Sequence, residues 1–169
     1  SQLLNDNARP MYSRATQEKT APGSTFKPLS AIAGLCEGVI STSPSNTITC
    51  TGVYTKVSNH PKCWILTQNG GSHGTENVVD AIMDSCNCYF YEVGFRLGST
   101  GNGLSNEVGL EKLAEYATMF GLGNKSGLET EESEPQISDQ TIVPSAIGQG
   151  SHNYTVSQIA RYVTTIANG

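Results

Sequence analysis

Pro28 is the residue that most limits how this chain can fold around its first apolar stripe. It stands in the run "APGSTFKPLS", residues 21–30. A proline has no amide hydrogen and is tolerated in a helix only in the first turn. Downstream, Leu29, Ile32, Ala33 and Cys36 fall at i, i+3, i+4 and i+7, the spacing of a buried helical face. A helix therefore begins near Ser24 and stops near Gly38, with Cys36 expected in the core. Ser24 and Lys27 are then one turn apart on one face. A serine hydroxyl is a weak nucleophile until a neighbour takes its proton. A lysine can do so when burial lowers its pKa. Gly23 leaves room for a substrate to approach. The pair suits acyl transfer, although S-x-x-K alone is a short pattern that recurs by chance.

The same periodicity organises the rest. "NTITCTGVYTKV" alternates like a strand, and with "CWIL" after a Pro turn it predicts a small β-hairpin. Thr75 is expected to cap a helix carrying Val78, Val79 and Ile82. A break at "SCN", residues 85–87, precedes a second stripe of Phe90, Val93, Gly94 and Leu97. Another helix carries Leu110, Leu113, Ala114 and Ala117. The acidic run Glu129, Glu131, Glu132 and Glu134 reads as a solvated loop, and "IGQG", residues 147–150, as a turn in which Gln149 is structural. Thr155 and Gln158 form a capping box for a last helix bearing Val156, Ile159, Ala160 and Val163. The chain is mainly α, one domain over residues 1–169.

Composition narrows the function. The 169 residues carry a net charge of −5, with only 15% charged side chains. No Lys/Arg run offers a phosphate footprint, so no nucleic-acid partner is expected. No apolar stretch reaches the roughly 18 residues of a membrane span. Five cysteines, at 36, 50, 63, 86 and 88, are an odd set. Cys50 and Cys63 bracket a loop that a disulfide could close in an oxidising compartment. His60 and His73 lie nearby, but C-x-x-C and H-x-x-x-H spacings are missing, and no metal is expected.

A second candidate is Ser85-Cys86-Asn87. Its serine can relay a proton and its asparagine can hold an amide. Ser151-His152-Asn153 repeats the letters but reads as loop. His73 and Trp64 read as local packing.

"PGSTFKP", "SCNCYFYEVG" and "IGQG…YTVSQIA…IANG", in that order, resemble the transpeptidase domain of a class B penicillin-binding protein. The flanks "ITCTGVY", "KCW" and "HGTENVVDAI" add to the likeness. The resemblance implies that Ser24 is the acylated nucleophile and Lys27 its base. Ser85 would relay the proton and Asn87 would bind the substrate amide. It implies a helical subdomain of the α+β serine transpeptidase and β-lactamase-like fold, without the main sheet. The family's K-T-G motif is not found after the last helix. Lys125-Ser126-Gly127 fits the letters but follows a helix stop. The 169 residues are therefore expected to be a partial domain, lacking a pedestal and the K-T-G strand, and to acylate poorly alone. Exposed apolar surface on the first or last helix is then an expected route to self-association. The resemblance further implies a peptidoglycan stem peptide ending in D-Ala-D-Ala as substrate, β-lactams as acylating ligands and no cofactor. It places the parent, anchored in the membrane, at the extracytoplasmic face of a bacterial cell. Two other readings share the motifs: a β-lactam sensor domain, and a structural helical domain whose motifs are accidental.

Overall fold

The computed structural model describes residues 9–169. The core is built around α4 (Asn87–Leu97), whose side chains are buried on nearly every face. Phe90, Val93 and Leu97 supply the apolar stripe, and Tyr89, Tyr91 and Cys88 fill the other sides. Helix α1 (Lys27–Cys36), α5 (Asn106–Met119) and the short α6 (Ile142–Ser145) pack around it. Gly94 lets α6 approach: a Cβ there would stand 2.8 Å from the Ala146 Cβ.

A single 3-10 turn, Gly23–Phe26, leads into α1, and Pro28 lies in the first turn of that helix as expected. Cys36 is exposed rather than in the core. The inward face is instead Leu29, Ser30, Ala33 and Gly34, and Ser30 donates to the Ala146 carbonyl at 2.7 Å. Cys36 is the last residue of α1, where the helix ends at the surface.

The expected hairpin is not formed. Strand β2 (Ile48–Cys50) pairs antiparallel with β3 (Gly74–Glu76), Cys50 facing Gly74. "CWIL" opens a helix instead, α2 (Trp64–Asn69), leaving only a Val53–Lys62 bridge between the two stretches. Cys63 N–H donates to Gly52 O at 2.8 Å, which turns the chain into α2. Thr75 lies in β3, and Asn77 caps α3 (Val78–Met83), accepting from the amides of Val79 and Asp80. β4 (Ser99–Thr100) and β5 (Gly103–Leu104) form a true hairpin, and β1 (Lys19–Thr20) pairs with β6 (Tyr154–Thr155). Among the described residues these three two-stranded ladders are the only sheets. The molecule is mainly α, and no helix among them is long and apolar enough to cross a membrane.

Glu92 ties the β2–α2 connection to α4. It is buried, and burial alone would push its carboxyl up. Hydrogen bonds from Lys56 and Arg96, each 2.8 Å, and from Tyr54 at 2.8 Å outweigh that and hold it below the usual range.

The capping box of α7 (Val156–Asn168) forms as expected between Thr155 and Gln158. Its apolar stripe, however, points outward: Val156 is 57% exposed and Val163 47%. The buried face is polar and aromatic, made of Gln158 and Tyr162. Glu132 is also not solvated. It is buried and accepts from Ser126, Thr155 and Ser157, fastening the acidic loop to the start of α7.

Candidate active site

Lys27, at 2% exposure, projects from the first turn of α1 into the break between α3 and α4. Its Nζ donates to Ser85 O at 2.6 Å, to Ser85 Oγ at 2.9 Å and to Asn87 Oδ1 at 2.6 Å. The three protons of an ammonium are matched by three acceptors on one tripeptide. Burial lowers the Lys27 pKa to about 8, and the negative potential of Cys63, Cys86 and Glu76 resists that fall. An amine with such a pKa is partly neutral near pH 7 and can accept a proton. Lys27, Ser85 and Asn87 are thus brought together, 58 to 60 residues apart in sequence. Ser24 is exposed, one turn before Lys27, at the N-terminal end of the 3-10 turn, where free amides favour negative charge.

The Gly23–Phe26 turn rests on the "IGQG" segment. Gly23 N–H donates to Gly148 O at 3.0 Å, with both glycines at positive φ, +57° and +73°. Gln149 is exposed, and its amide donates to Pro144 O at 3.1 Å, in keeping with a structural turn. His152 stacks on Phe26 with ring centroids 4.4 Å apart. Tyr162 of α7 inserts its hydroxyl between Thr25 O, to which it donates at 3.0 Å, and Leu29 N–H, from which it accepts at 3.2 Å. Sequence reasoning missed Tyr162. The signal was its i+4 position from the capping-box Gln158, which puts both on one face.

Lys125-Ser126-Gly127 takes no part in this arrangement. Lys125 pairs with Glu134 at 2.8 Å, and Ser126 donates to Glu132.

All five cysteines are free thiols, so the Cys50–Cys63 disulfide expected from the loop is not formed. The fold offers these sulfurs other partners. Cys50, Cys63, Cys86 and His73 bring their ligand atoms within 4.8 Å of one another, three of the four residues buried. Cys63 Sγ accepts from Asn87 N–H at 3.3 Å and lies 3.6 Å from His73 Nδ1. Hydrogen bonds from the Cys86 and Cys88 thiols pull the pKa of the Cys63 thiol down. Three sulfurs and one imidazole are the ligand set of a tetrahedral Zn²⁺ site. Spacing argued against a metal, but only the β2–β3 pairing and the α2 turn bring these residues together. The cluster includes the middle residue of Ser85-Cys86-Asn87.

The model of the penicillin binding protein transpeptidase domain matches residues 1–169. The chain is 33% identical to the peptidoglycan D,D-transpeptidase MrdA of Haemophilus influenzae over 98% of its length, covering 26% of that protein. Pseudomonas aeruginosa PBP2, solved in complex with WCK 5153, superposes with a TM-score of 0.80 at 26% identity, over 99% of this chain and 38% of that one. A chain of a peptidoglycan synthase complex that coordinates polymerization and crosslinking also gives a TM-score of 0.80, at 30% identity, over 99% and 28%. The chain thus spans about a quarter of the length of such curated relatives.

Proposed function

The chain belongs to the penicillin-binding protein transpeptidase family, and from that premise we propose that Ser24 is the acylated nucleophile of a peptidoglycan D,D-transpeptidase. The observation that carries the reading is Lys27 Nζ, one turn after Ser24, meeting Ser85 Oγ, Ser85 O and Asn87 Oδ1 together.

In this reading neutral Lys27 takes the Ser24 proton as Oγ attacks the carbonyl carbon of the penultimate D-Ala. To do so it releases one of its three acceptors. The tetrahedral oxyanion meets the Ser24 amide. Ser85 passes a proton to the departing D-Ala amine, and Asn87 holds the donor peptide amide. An acceptor amine on a second stem peptide then attacks the acyl-enzyme and frees Ser24. A β-lactam follows the first half of this path, and its opened ring leaves the serine acylated. No cofactor is needed for Ser–Lys chemistry.

The parent protein would act at the extracytoplasmic face of the bacterial cell membrane, held there by an anchor. The 169 residues by themselves would acylate poorly. Their one K-S-G is engaged by Glu134 and Glu132, which leaves the Ser24 amide without a second oxyanion donor from that motif. Loss of one such donor costs on the order of 100-fold in rate. A sheet carrying the third motif would also cover the apolar face of α7.

The test is to label the full-length protein with a fluorescent penicillin and map the adduct by mass spectrometry. We expect the label on the Ser24 peptide, and none in Ser24→Ala. A label elsewhere, or none on a folded protein, refutes the assignment.

A further inference from the structure

We propose that Trp64 is a positioning residue for acylation at Ser24: its indole N–H holds the strained Ser85 peptide so that the Ser85 carbonyl and hydroxyl both face Lys27. The proposal rests on the reading of Ser24 as nucleophile and adds a residue to that site.

The strain comes from the way α3 ends. Asp84 is its C-cap. The Ser85 amide donates to Ile82 O at 3.2 Å, and the Cys86 amide donates to Ala81 O at 2.9 Å. These two bonds define a Schellman turn, whose next residue adopts the left-handed conformation that glycine usually supplies. Here that residue is Ser85, at φ +52°. A glycine would sit there without steric cost, but it has no hydroxyl to offer Lys27. The chain keeps the serine in an unfavourable conformation, and such a residue persists only where its surroundings hold it.

Two donors hold it. Ser85 O accepts from Lys27 Nζ at 2.6 Å and from Trp64 Nε1 at 3.0 Å, and the same indole N–H reaches Asp84 O at 3.2 Å. Both lone pairs of the Ser85 carbonyl are then in use. The two donors differ in one respect that matters for the reaction. Lys27 must gain and lose a proton in each cycle, so its hold on the carbonyl varies. The indole N–H does not titrate and keeps the turn in place while Lys27 changes state.

Trp64 is itself fixed. Its ring lies against His73, centroids 5.3 Å apart. The preceding residue, Cys63, accepts from Asn87 N–H through its sulfur at 3.3 Å. The dipeptide Cys63-Trp64 therefore grips Ser85-Cys86-Asn87 at both ends, by the carbonyl of the first residue and the amide of the last.

The experiment compares the full-length protein with Trp64→Phe, with β-(3-benzothienyl)alanine at position 64, and with 5-fluorotryptophan at position 64. The benzothienyl ring keeps the indole shape but puts sulfur in place of N–H. The second-order rate of acylation by a fluorescent penicillin is expected to fall roughly three- to tenfold in the first two, the worth of a single hydrogen bond. It is expected to stay at the wild-type rate with 5-fluorotryptophan, which retains the donor. A benzothienyl protein that acylates at the wild-type rate overturns the proposal, because the ring alone then suffices. A crystal structure of the benzothienyl protein gives a readout independent of acylation. Ser85 is expected to leave the left-handed region or to lengthen its bond to Lys27, and an unchanged turn overturns the proposal. Failure of the wild-type protein to label at Ser24 counts against the nucleophile assignment, while the crystal structure still decides the role of Trp64.

Discussion

Gly148 lies directly beneath Gly23, so close that a Cβ on Gly148 would overlap the Gly23 carbonyl oxygen. The two backbones are joined by the Gly23 N–H to Gly148 O bond. Gly148 also has φ +73°, where any side chain is strained. Gly148→Ala is therefore expected to destabilise the fold by about 2–4 kcal/mol and, with Ser24 as the proposed nucleophile, to slow acylation by displacing the Gly23–Phe26 turn. Denaturant titration checks the first and penicillin labelling the second. A variant of wild-type stability would show that the contact is not needed.

The pH dependence of acylation follows from Lys27. Its pKa of about 8, lowered chiefly by burial, predicts a labelling rate that climbs as pH rises through about 8. Lys27→Arg, always protonated, should lose on the order of 100-fold or more. Folding responds with a definite sign. Between about 8 and the ordinary 10.5 the unfolded chain binds the extra proton, so this group's contribution to stability rises with pH across that window. A labelling rate flat from pH 6 to 9 would remove Lys27 as the base.

Ser85 at C′ of α3 gives a paired prediction. Ser85→Ala and Ser85→Gly both lose the hydroxyl and should both acylate slowly. Their stabilities should differ, because φ +52° strains alanine and not glycine. The glycine variant is expected to be more stable by about 1 kcal/mol. Equal melting temperatures would contradict the left-handed assignment.

The sulfur cluster predicts metal binding. One equivalent of Co²⁺ should give the intense near-ultraviolet thiolate bands of a tetrahedral site, and His73→Ala or Cys63→Ser should weaken them. With metal bound, Cys36 is the exposed thiol and should react first with a disulfide reagent. Uniform reactivity of all five thiols in the metal-loaded, folded protein would argue against the site.

Tyr162→Phe removes the hydroxyl that bridges Thr25 O and Leu29 N–H. The buried Leu29 N–H and the part-buried Thr25 O, at the Gly23–Phe26 turn, then lose this partner. The cost is expected at about 1–3 kcal/mol, read as a lowered unfolding midpoint. No change would mean that the turn closes its own i to i+4 bond.

The local devices were legible in the sequence. Pro28 placed the start of α1, the Phe90–Leu97 stripe placed α4, and Thr155 with Gln158 placed the start of α7. Each is written within one or two turns of chain, and a helix cap or an apolar period needs nothing more distant. The residues Ser24, Lys27, Ser85 and Asn87 could likewise be picked out by their spacing and order. Tertiary structure decided what those devices met. The stripe on α7 has the right period, yet the helix turns Gln158 and Tyr162 inward, because Ser133 O, Thr25 O and the Leu29 N–H are polar groups that need partners. "CWIL" became a helix because Gly74–Glu76, not that segment, paired with β2. The same pairing gathered three cysteines and a histidine that no spacing connects. Periodicity reports on neighbours in the chain. The meeting of Lys27 with Ser85, and of Trp64 with the strained turn beside it, depends on how α1, α2 and α3 pack around α4.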